Sequence, residues 1–350
     1  MQYKLLEILR CPVTRSELTL NTIKEVQQTF EDATITIIEE GILFSDNNWF
    51  YPIIDGIPRL CVEAFIDYKL FLQIHLPNYD EMSKKLKEGN EDFLKLVIKK
   101  NKRTKESFTK EWSVFDYEKD KTWNAGEVQM LERFLMETNE THSSLIDKIV
   151  FDAGCGNGKL NCLLGDNRIT NIAMDFSESI VIANMHNVSK NVHFIQGDVQ
   201  FPPVAFNYFD IVHSSGVLIH TNNTELSLSC LTPTLKNKGK MSVFLYHPRE
   251  DLIHNIFNKL RKLTSKLPLG FQYYLYLFTL FPVSYCIKKL KGNKQNAREM
   301  MVDILDWFTP EFRSEHSHNE VAAWFLKRNF TQVQVTTNDM FGFNTIAVKN

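Results

Sequence analysis

Three glycines alternate at the end of a hydrophobic run, in Val150-Phe151-Asp152-Ala153-Gly154-Cys155-Gly156-Asn157-Gly158. A strand that enters such a loop and leaves as a helix lets a ligand approach the backbone where no Cβ stands in the way. The first N–H groups of the helix then face an anionic group. Nicotinamide and flavin folds use relatives of this loop, so alone it names no chemistry. Two later acids narrow it. Asp175 ends the second strand, 17 residues after Gly158, where a carboxylate accepts both hydroxyls of a ribose. Asp198 ends the third, in Gln196-Gly197-Asp198-Val199. A carboxylate there can accept from an exocyclic adenine amine, while the Val199 N–H reaches a ring nitrogen. A dinucleotide site needs the first acid and has no standard use for the second.

A second group follows the fourth strand. His220, in Gly216-Val217-Leu218-Ile219-His220-Thr221, stands at the rim where open α/β sheets bind ligands. It is either a general base or a loop histidine beside the helix start at Thr221-Asn222-Asn223. Tyr246 and His247 end the fifth strand at the same rim, to bind an acceptor or to cap the strand. Asp303, Asp306 and Trp307 precede Thr309-Pro310, either over the site or in packing. Glu315-His316-Ser317-His318 has the look of a metal cluster but lacks further ligands at suitable spacing, which favours helix-entry polar residues.

The elements that must carry these residues are legible from Lys148 onward. Strands are predicted at Ile149–Asp152, Ile172–Asp175, Val192–Gln196, Phe209–Ser214 and Lys240–Tyr246, with helices at about 159–165, 177–186 and 223–236. Pro233 should shorten the last helix. Ser317-His318-Asn319-Glu320 reads as a capping box, and two strands follow near Gln332–Thr336 and Asn344–Val348. Residues 1–62 read as short strands: Thr34–Ile38, then Gly41–Phe44 and Trp49–Ile54 as a hairpin. Residues 63–146 read as helical. Lys84 to Lys105 holds nine Lys or Arg, either a solvated helix face or an RNA-contacting patch.

The motifs Asp-Ala-Gly-Cys-Gly-Asn-Gly at 152–158, Met-Asp-Phe-Ser at 174–177, Gly-Asp-Val at 197–199 and Phe-Asp-Ile-Val-His-Ser-Ser-Gly-Val-Leu-Ile-His-Thr at 209–221 resemble those of class I S-adenosylmethionine-dependent methyltransferases. The resemblance covers 145–350. It implies a Rossmann-like α/β sheet with an antiparallel last strand, and S-adenosylmethionine as cofactor. It implies a cofactor site of Asp152, Gly154, Cys155, Gly156, Gly158, Asp175, Phe176, Asp198, Val199 and Ser215. His220, Tyr246 and His247 fall on the acceptor side, and no metal is implied. The stretch 216–221, the insertion 252–292 and Asp306–Phe325 are similar to a bacterial subgroup acting on sugars, lipids or secondary metabolites. Leu5–Pro12 with Tyr51–Leu60 resembles the small zinc-ribbon-like activators of methyltransferases. Cys11-Pro12-Val13-Thr14 departs from the Cys-Pro-x-Cys of metal-binding members, so no zinc is expected; Cys11 and Cys61 would pack as small hydrophobes.

Composition agrees with a globular chain of one catalytic domain and additions. Of 350 residues 43% are hydrophobic, and 40 basic residues balance 42 acidic ones, which gives no global field for nucleic acid. Six cysteines without metal-ligand spacing read as reduced thiols of a cytoplasmic protein. Leu267 to Ile287 carries no charge but is interrupted by Pro268, Gly270, Gln272 and Pro282. It reads as an aromatic lid, as core, or as an interfacial helix that dips into a membrane toward a lipid-linked acceptor. The expected divisions are an activator-like module at 1–62, a helical connector and cap at 63–144, and the catalytic domain at 145–350 with its acceptor-side insertion at 251–299. The expected reaction is methyl transfer to a small-molecule or lipid-linked acceptor, oxygen favoured. An RNA-modifying enzyme and a non-catalytic cofactor-binding scaffold are the alternatives. Oligomeric state is not legible.

Overall fold

The computed structural model describes residues 1–121, 125–165 and 168–350. The chain opens with an antiparallel sheet of β1 (Thr19–Thr29), β2 (Thr34–Phe44), β3 (Phe50–Ile54) and β4 (Ile57–Pro58), in that order. The two runs expected at 34–38 and 41–44 are one strand. Gly41 pairs with Thr22, and its absent Cβ would meet the Asn21 carbonyl at 3.0 Å. β1 was not expected, because its polar side chains give no apolar alternation.

The second sheet follows the alternation read from Lys148 onward. Its strands are β5 (Ile149–Ala153), β6 (Thr170–Asp175), β7 (Val192–Gln196), β8 (Phe209–Ser215), β9 (Leu235–Tyr246), β10 (Phe330–Asn338) and β11 (Gly342–Lys349). The order is β10-β11-β9-β8-β5-β6-β7, and β11 runs antiparallel to both β9 and β10. Strands β5 to β9 are parallel and buried on both faces, which is why they read as near-continuous apolar runs. Pro233 ends the Thr224–Leu231 helix in a short 3-10 turn. Ser317 Oγ caps its helix by accepting from Glu320 N, at 3.2 Å. This is a mixed α/β fold: a Rossmann-like, mainly parallel sheet with an antiparallel last strand, an added N-terminal sheet and added helices.

The N-terminal sheet covers what would otherwise be the open edge of the larger one. Arg59 bridges to Gln196 of β7, and Leu60 N donates to the Gln196 carbonyl at 2.8 Å. Arg59, 2% exposed, pairs with Glu178 at 3.0 Å; the Tyr68 hydroxyl lies 2.6 Å from both Glu178 and Gln196. Cys11 and Cys61 are buried and unbonded to each other, and the Cys11 sulfur lies 3.3 Å from the Tyr51 hydroxyl. One continuous apolar core runs from Leu5 and Phe50 through Phe65 to Phe151, Val212 and Phe343.

Candidate functional site

A cavity of about 890 Å³ opens along the C-terminal ends of β5 to β9. Its floor is the glycine loop. Gly154, Gly156 and Gly158 hold φ values of +106°, +57° and +68°, a region that strains any side-chain-bearing residue. A Cβ at Gly154 would lie 2.2 Å from the Val217 side chain, so the loop can press against the turn after β8 only as glycine. Gly158 does not reach the cavity. It lets the helix start pack on Ala183 and Phe194, where a Cβ would meet carbons at 2.4 and 2.7 Å.

Cys155, Asp175, Phe176, Asp198, Val199 and Ser215 all line this cavity with Gly154 and Gly156, so the structure brings the sequence-derived cofactor residues together. Asp175 is fixed by the loop it serves. Its Oδ2 accepts from Gly156 N at 2.8 Å, and its Oδ1 accepts from Ser177 N and Oγ at 2.8 and 2.7 Å. Burial nevertheless pushes its carboxyl above the usual range. Asp152 also faces the cavity, but both its oxygens are engaged. Oδ1 lies 2.8 Å from His213 Nδ1, and Oδ2 accepts from Asn161 at 2.9 Å. These two bonds hold the strand end at the edge of the cavity.

The Glu91–Val114 helix, within the expected helical connector and cap, roofs the cavity, and it brings in side chains that the sequence did not mark. Its Lys100 Nζ lies 2.9 Å from Asp198 Oδ2 and 2.8 Å from Gln200 Oε1. Lys105 pairs with Glu63 and Asp67 and lies 4.9 Å from the Phe176 ring centre. These two lysines do not belong to a solvated face. Further along, Phe108 meets the His220 ring edge-on at 5.2 Å, and Trp112 stands where a Cβ on Gly156 would come within 2.9 Å. The aromatic pair Phe108 and Trp112, spaced four apart, was the available signal for a buried helix face.

The far wall is the expected acceptor side. His220 is 2% exposed; its Nδ1 lies 3.1 Å from the Phe312 carbonyl, which can only accept, so Nδ1 carries the proton. Nε2 then presents a lone pair to the cavity without a hydrogen-bond partner, 3.7 Å from Asp306 Oδ1. Burial, with Arg313 and Arg261 nearby, pushes this imidazole down to about 3. It is a neutral hydrogen-bond acceptor and a weak base. Tyr246 donates to Asp306 at 3.4 Å, and burial pushes Asp306 up to about 7. Asp303, Asp306 and Trp307 line the cavity, and the Trp307 indole N–H has no partner. His247 does not join them. It follows Tyr246 on the opposite side of the chain and is not a lining residue; its Nε2 lies 3.0 Å from the carbonyl of Asp339, at the cavity's edge. His316 binds Thr224 at 3.0 Å, and His318 packs on Phe343.

The residues present fit S-adenosylmethionine. The loop admits a ligand against backbone, Asp175 keeps acceptor capacity on Oδ2, and the buried Asn157 amide has an unpartnered N–H. Asp198 is shared with Lys100. Gly154, Gly156 and Ser215 would hold the methionine part, Asp175 the ribose, and Asp198 with Val199 the adenine. The group supplies an electrophilic methyl carbon, so the protein has to bind, align and exclude water.

Residues 151–243 match the family model described as "Methyltransferase domain". No curated protein matches the chain. Among solved structures, the magnesium protoporphyrin IX methyltransferase of Synechocystis PCC 6803 is similar at 14% identity. That match covers 71% of this chain and 98% of that one, with a TM-score of 0.42. A SAM-dependent methyltransferase from Aquifex aeolicus is similar at 17% identity over 67% of this chain and 100% of that one, with a TM-score of 0.39. The matched stretch contains the glycine loop, both strand-end acids and the strand bearing Ser215, so the chain carries a methyltransferase domain at residues 151–243.

Proposed function

We propose that this methyltransferase acts on a hydroxyl of a small, lipid-linked acceptor, such as a sugar or a secondary metabolite. The observation that carries this reading is the continuity of the cavity. It runs from the glycine loop past His220 and Trp307 to Ile253, Phe257, Ser284 and Lys288 of the insertion. Its volume lies in the range of small-molecule sites, and must take donor and acceptor together. On the acceptor wall, His220 Nε2 accepts from a hydroxyl and Trp307 Nε1 donates to a neighbouring oxygen. Tyr246 and Asp306 set the polarity of the wall. Alignment of the hydroxyl oxygen with the methyl carbon is the main task of these groups.

The insertion supplies the lipid half of the reading. It forms helices Leu252–Thr264, Leu269–Phe278 and Leu280–Leu290, and the last buries none of its residues. Phe278 is 75% exposed and Leu290 89%, with Leu252, Ile253, Leu263, Phe271 and Tyr274 also outward. Lys262, Lys266, Lys289, Lys291 and Lys294 stand exposed around them. Apolar side chains ringed by lysines suit the interface of an anionic bilayer. No described helix is long and apolar enough to cross a membrane. The activator-like N-terminal module acts in this reading as a fixed stabiliser of the β7 edge.

The RNA reading is weaker here. Lys84, Lys85, Lys95, Lys100 and Lys105 each pair with a carboxylate of the chain itself. The test is incubation with methyl-labelled S-adenosylmethionine and extracts of the cells that make the protein. Label is expected in the organic-soluble fraction as an acid-stable methyl ether; label confined to RNA defeats the reading. In flotation assays, vesicles containing phosphatidylglycerol should bind the wild type. Phe278→Glu with Leu290→Glu should weaken that binding at least about tenfold, since two buried apolar side chains are lost.

A further inference from the structure

Glu111 is an acid of the cavity that nothing among the described residues employs. It is 1% exposed, and neither carboxyl oxygen has a hydrogen-bond partner among the described residues. It lines the cavity from the roof helix, one turn beyond Phe108, which meets His220, and beside Trp112, which covers Gly156. Asp175 at the tip of β6, Asp303 and Asp306 of the Ala297–Phe308 helix and Tyr246 of β9 line the same cavity, and the charges of the three acids act on Glu111. Two cations at this wall are engaged elsewhere. Lys288 pairs with Asp303, and Arg313 pairs with Glu315 while its guanidinium stacks on Trp307 at 3.9 Å. A buried carboxyl without a partner costs stability. A group kept in that state between the ribose acid and the acceptor wall has the placement of a reacting group.

We propose that Glu111 is the catalytic base of this enzyme: its carboxylate faces the sulfonium of the methyl donor and takes the proton of the acceptor hydroxyl. The inference rests on the hydroxyl reading above. In the step, the hydroxyl oxygen bonds the methyl carbon with a lone pair. The carbon–sulfur bond breaks with its electrons going to sulfur, and the proton passes to a Glu111 oxygen. A cation and an anion become two neutral groups, so no net charge is made or moved in a buried site. The same step with His220 as base would leave an imidazolium beside Arg261 and Arg313, where the ring is already held neutral. His220 orients the hydroxyl, and Glu111 receives its proton.

The acids around Glu111 and its burial push its carboxyl well above the usual range, so the site holds it protonated until a positive charge arrives. Calorimetry of the full chain at pH 7, in buffers of different ionisation heat, reads that change. S-adenosylmethionine is expected to release about one proton more than S-adenosylhomocysteine does, because only the former carries the sulfonium. Glu111→Gln should lose this excess, and its preference for S-adenosylmethionine over the homocysteine product should narrow about tenfold. An excess unchanged in Glu111→Gln overturns the proposal. In the labelled-extract assay Glu111→Gln should lower turnover by about 10²–10⁴-fold with the donor affinity of a folded site; wild-type turnover also overturns it. The calorimetry needs no acceptor. Methylation found at nitrogen or carbon would sink the hydroxyl reading and leave the proton-release result to be judged separately.

Discussion

Asp175→Ala is expected to weaken S-adenosylmethionine binding by at least about 100-fold, with the fold retained. A carboxylate that accepts both hydroxyls of a ribose makes two charge-assisted bonds, each worth about 1.5–3 kcal/mol, and 1.4 kcal/mol is tenfold in affinity. Alanine removes those and also the bond from Gly156 N at 2.8 Å that sets the curvature of the loop. The fold should tolerate the change, because burial already disfavours the Asp175 carboxylate against the unfolded chain. Gly156→Arg reaches the same end by a steric route. The position holds φ at +57°, its Cβ would stand 2.9 Å from Trp112, and the rest of the side chain would enter the cavity. Titration calorimetry with S-adenosylhomocysteine checks both variants, with melting curves to confirm that they fold. Wild-type affinity in the two together would refute the site assignment.

The difference between what the sequence shows and what it hides follows contact range. The glycine loop, Asp175 and Asp198 are readable because each sits at the end of a strand whose apolar run is visible locally. Pro233 and Ser317 are readable for the same reason: their effects fall within one helical turn. The contacts of the roof helix are not. Lys100 reads as one of nine cations until Asp198, 98 residues away, is placed beside it. Glu111 carries no local mark, since nothing in its own segment shows that it shares a cavity with Asp306 and Asp175. β1 escapes because an edge strand with polar faces has no period to detect. His247 was placed at the rim by proximity to Tyr246, yet a strand end sends neighbours to opposite sides.

Burial also changes the meaning of residues that the motifs identify correctly. His220 is where the resemblance puts it, but the Phe312 carbonyl fixes its tautomer and its surroundings remove its basicity. The catalytic question therefore moves from the residue with the right name to the acid with no partner. The insertion shows the converse case. Its aromatic content suggested a lid, core or interface, and the fold divides that content, burying Tyr276 against Phe308 while leaving Phe278 exposed, which the sequence signal does not separate.

His213→Leu is expected to be the most destabilising single substitution in the catalytic sheet, costing about 3–5 kcal/mol. His213 sits in β8 between two buried acids, with Nδ1 at 2.8 Å from Asp152 and Nε2 at 2.9 Å from Glu137. Both hydrogen bonds require ring N–H donors, so the ring is an imidazolium, and its pKa rises to about 9 despite desolvation. The sign follows. A histidine whose folded value exceeds its ordinary 6.5 contributes fully below that value and loses the contribution as pH climbs through 9. The gap corresponds to about 3 kcal/mol at 1.36 kcal/mol per unit. Glu137 works the other way: its partners hold it below the usual range, so its share is lost as pH falls below about 4.5. The wild type should therefore be more stable at pH 6 than at pH 9.5, by denaturant midpoint at fixed salt. The leucine variant should lose most of that difference, because the imidazole whose titration produces it is gone. A wild-type stability that does not fall between these pH values would show that the ring is neutral in the fold. The consequence reaches the site. Asp152 ends β5 directly before the glycine loop, Glu137 belongs to the Glu127–Thr138 helix, and its carbonyl accepts from Ser242 and Asn344 at 2.8 Å. One imidazolium thus ties the loop that receives the donor to the helix and strands beneath it. Loss of that tie should lower donor affinity as well as stability.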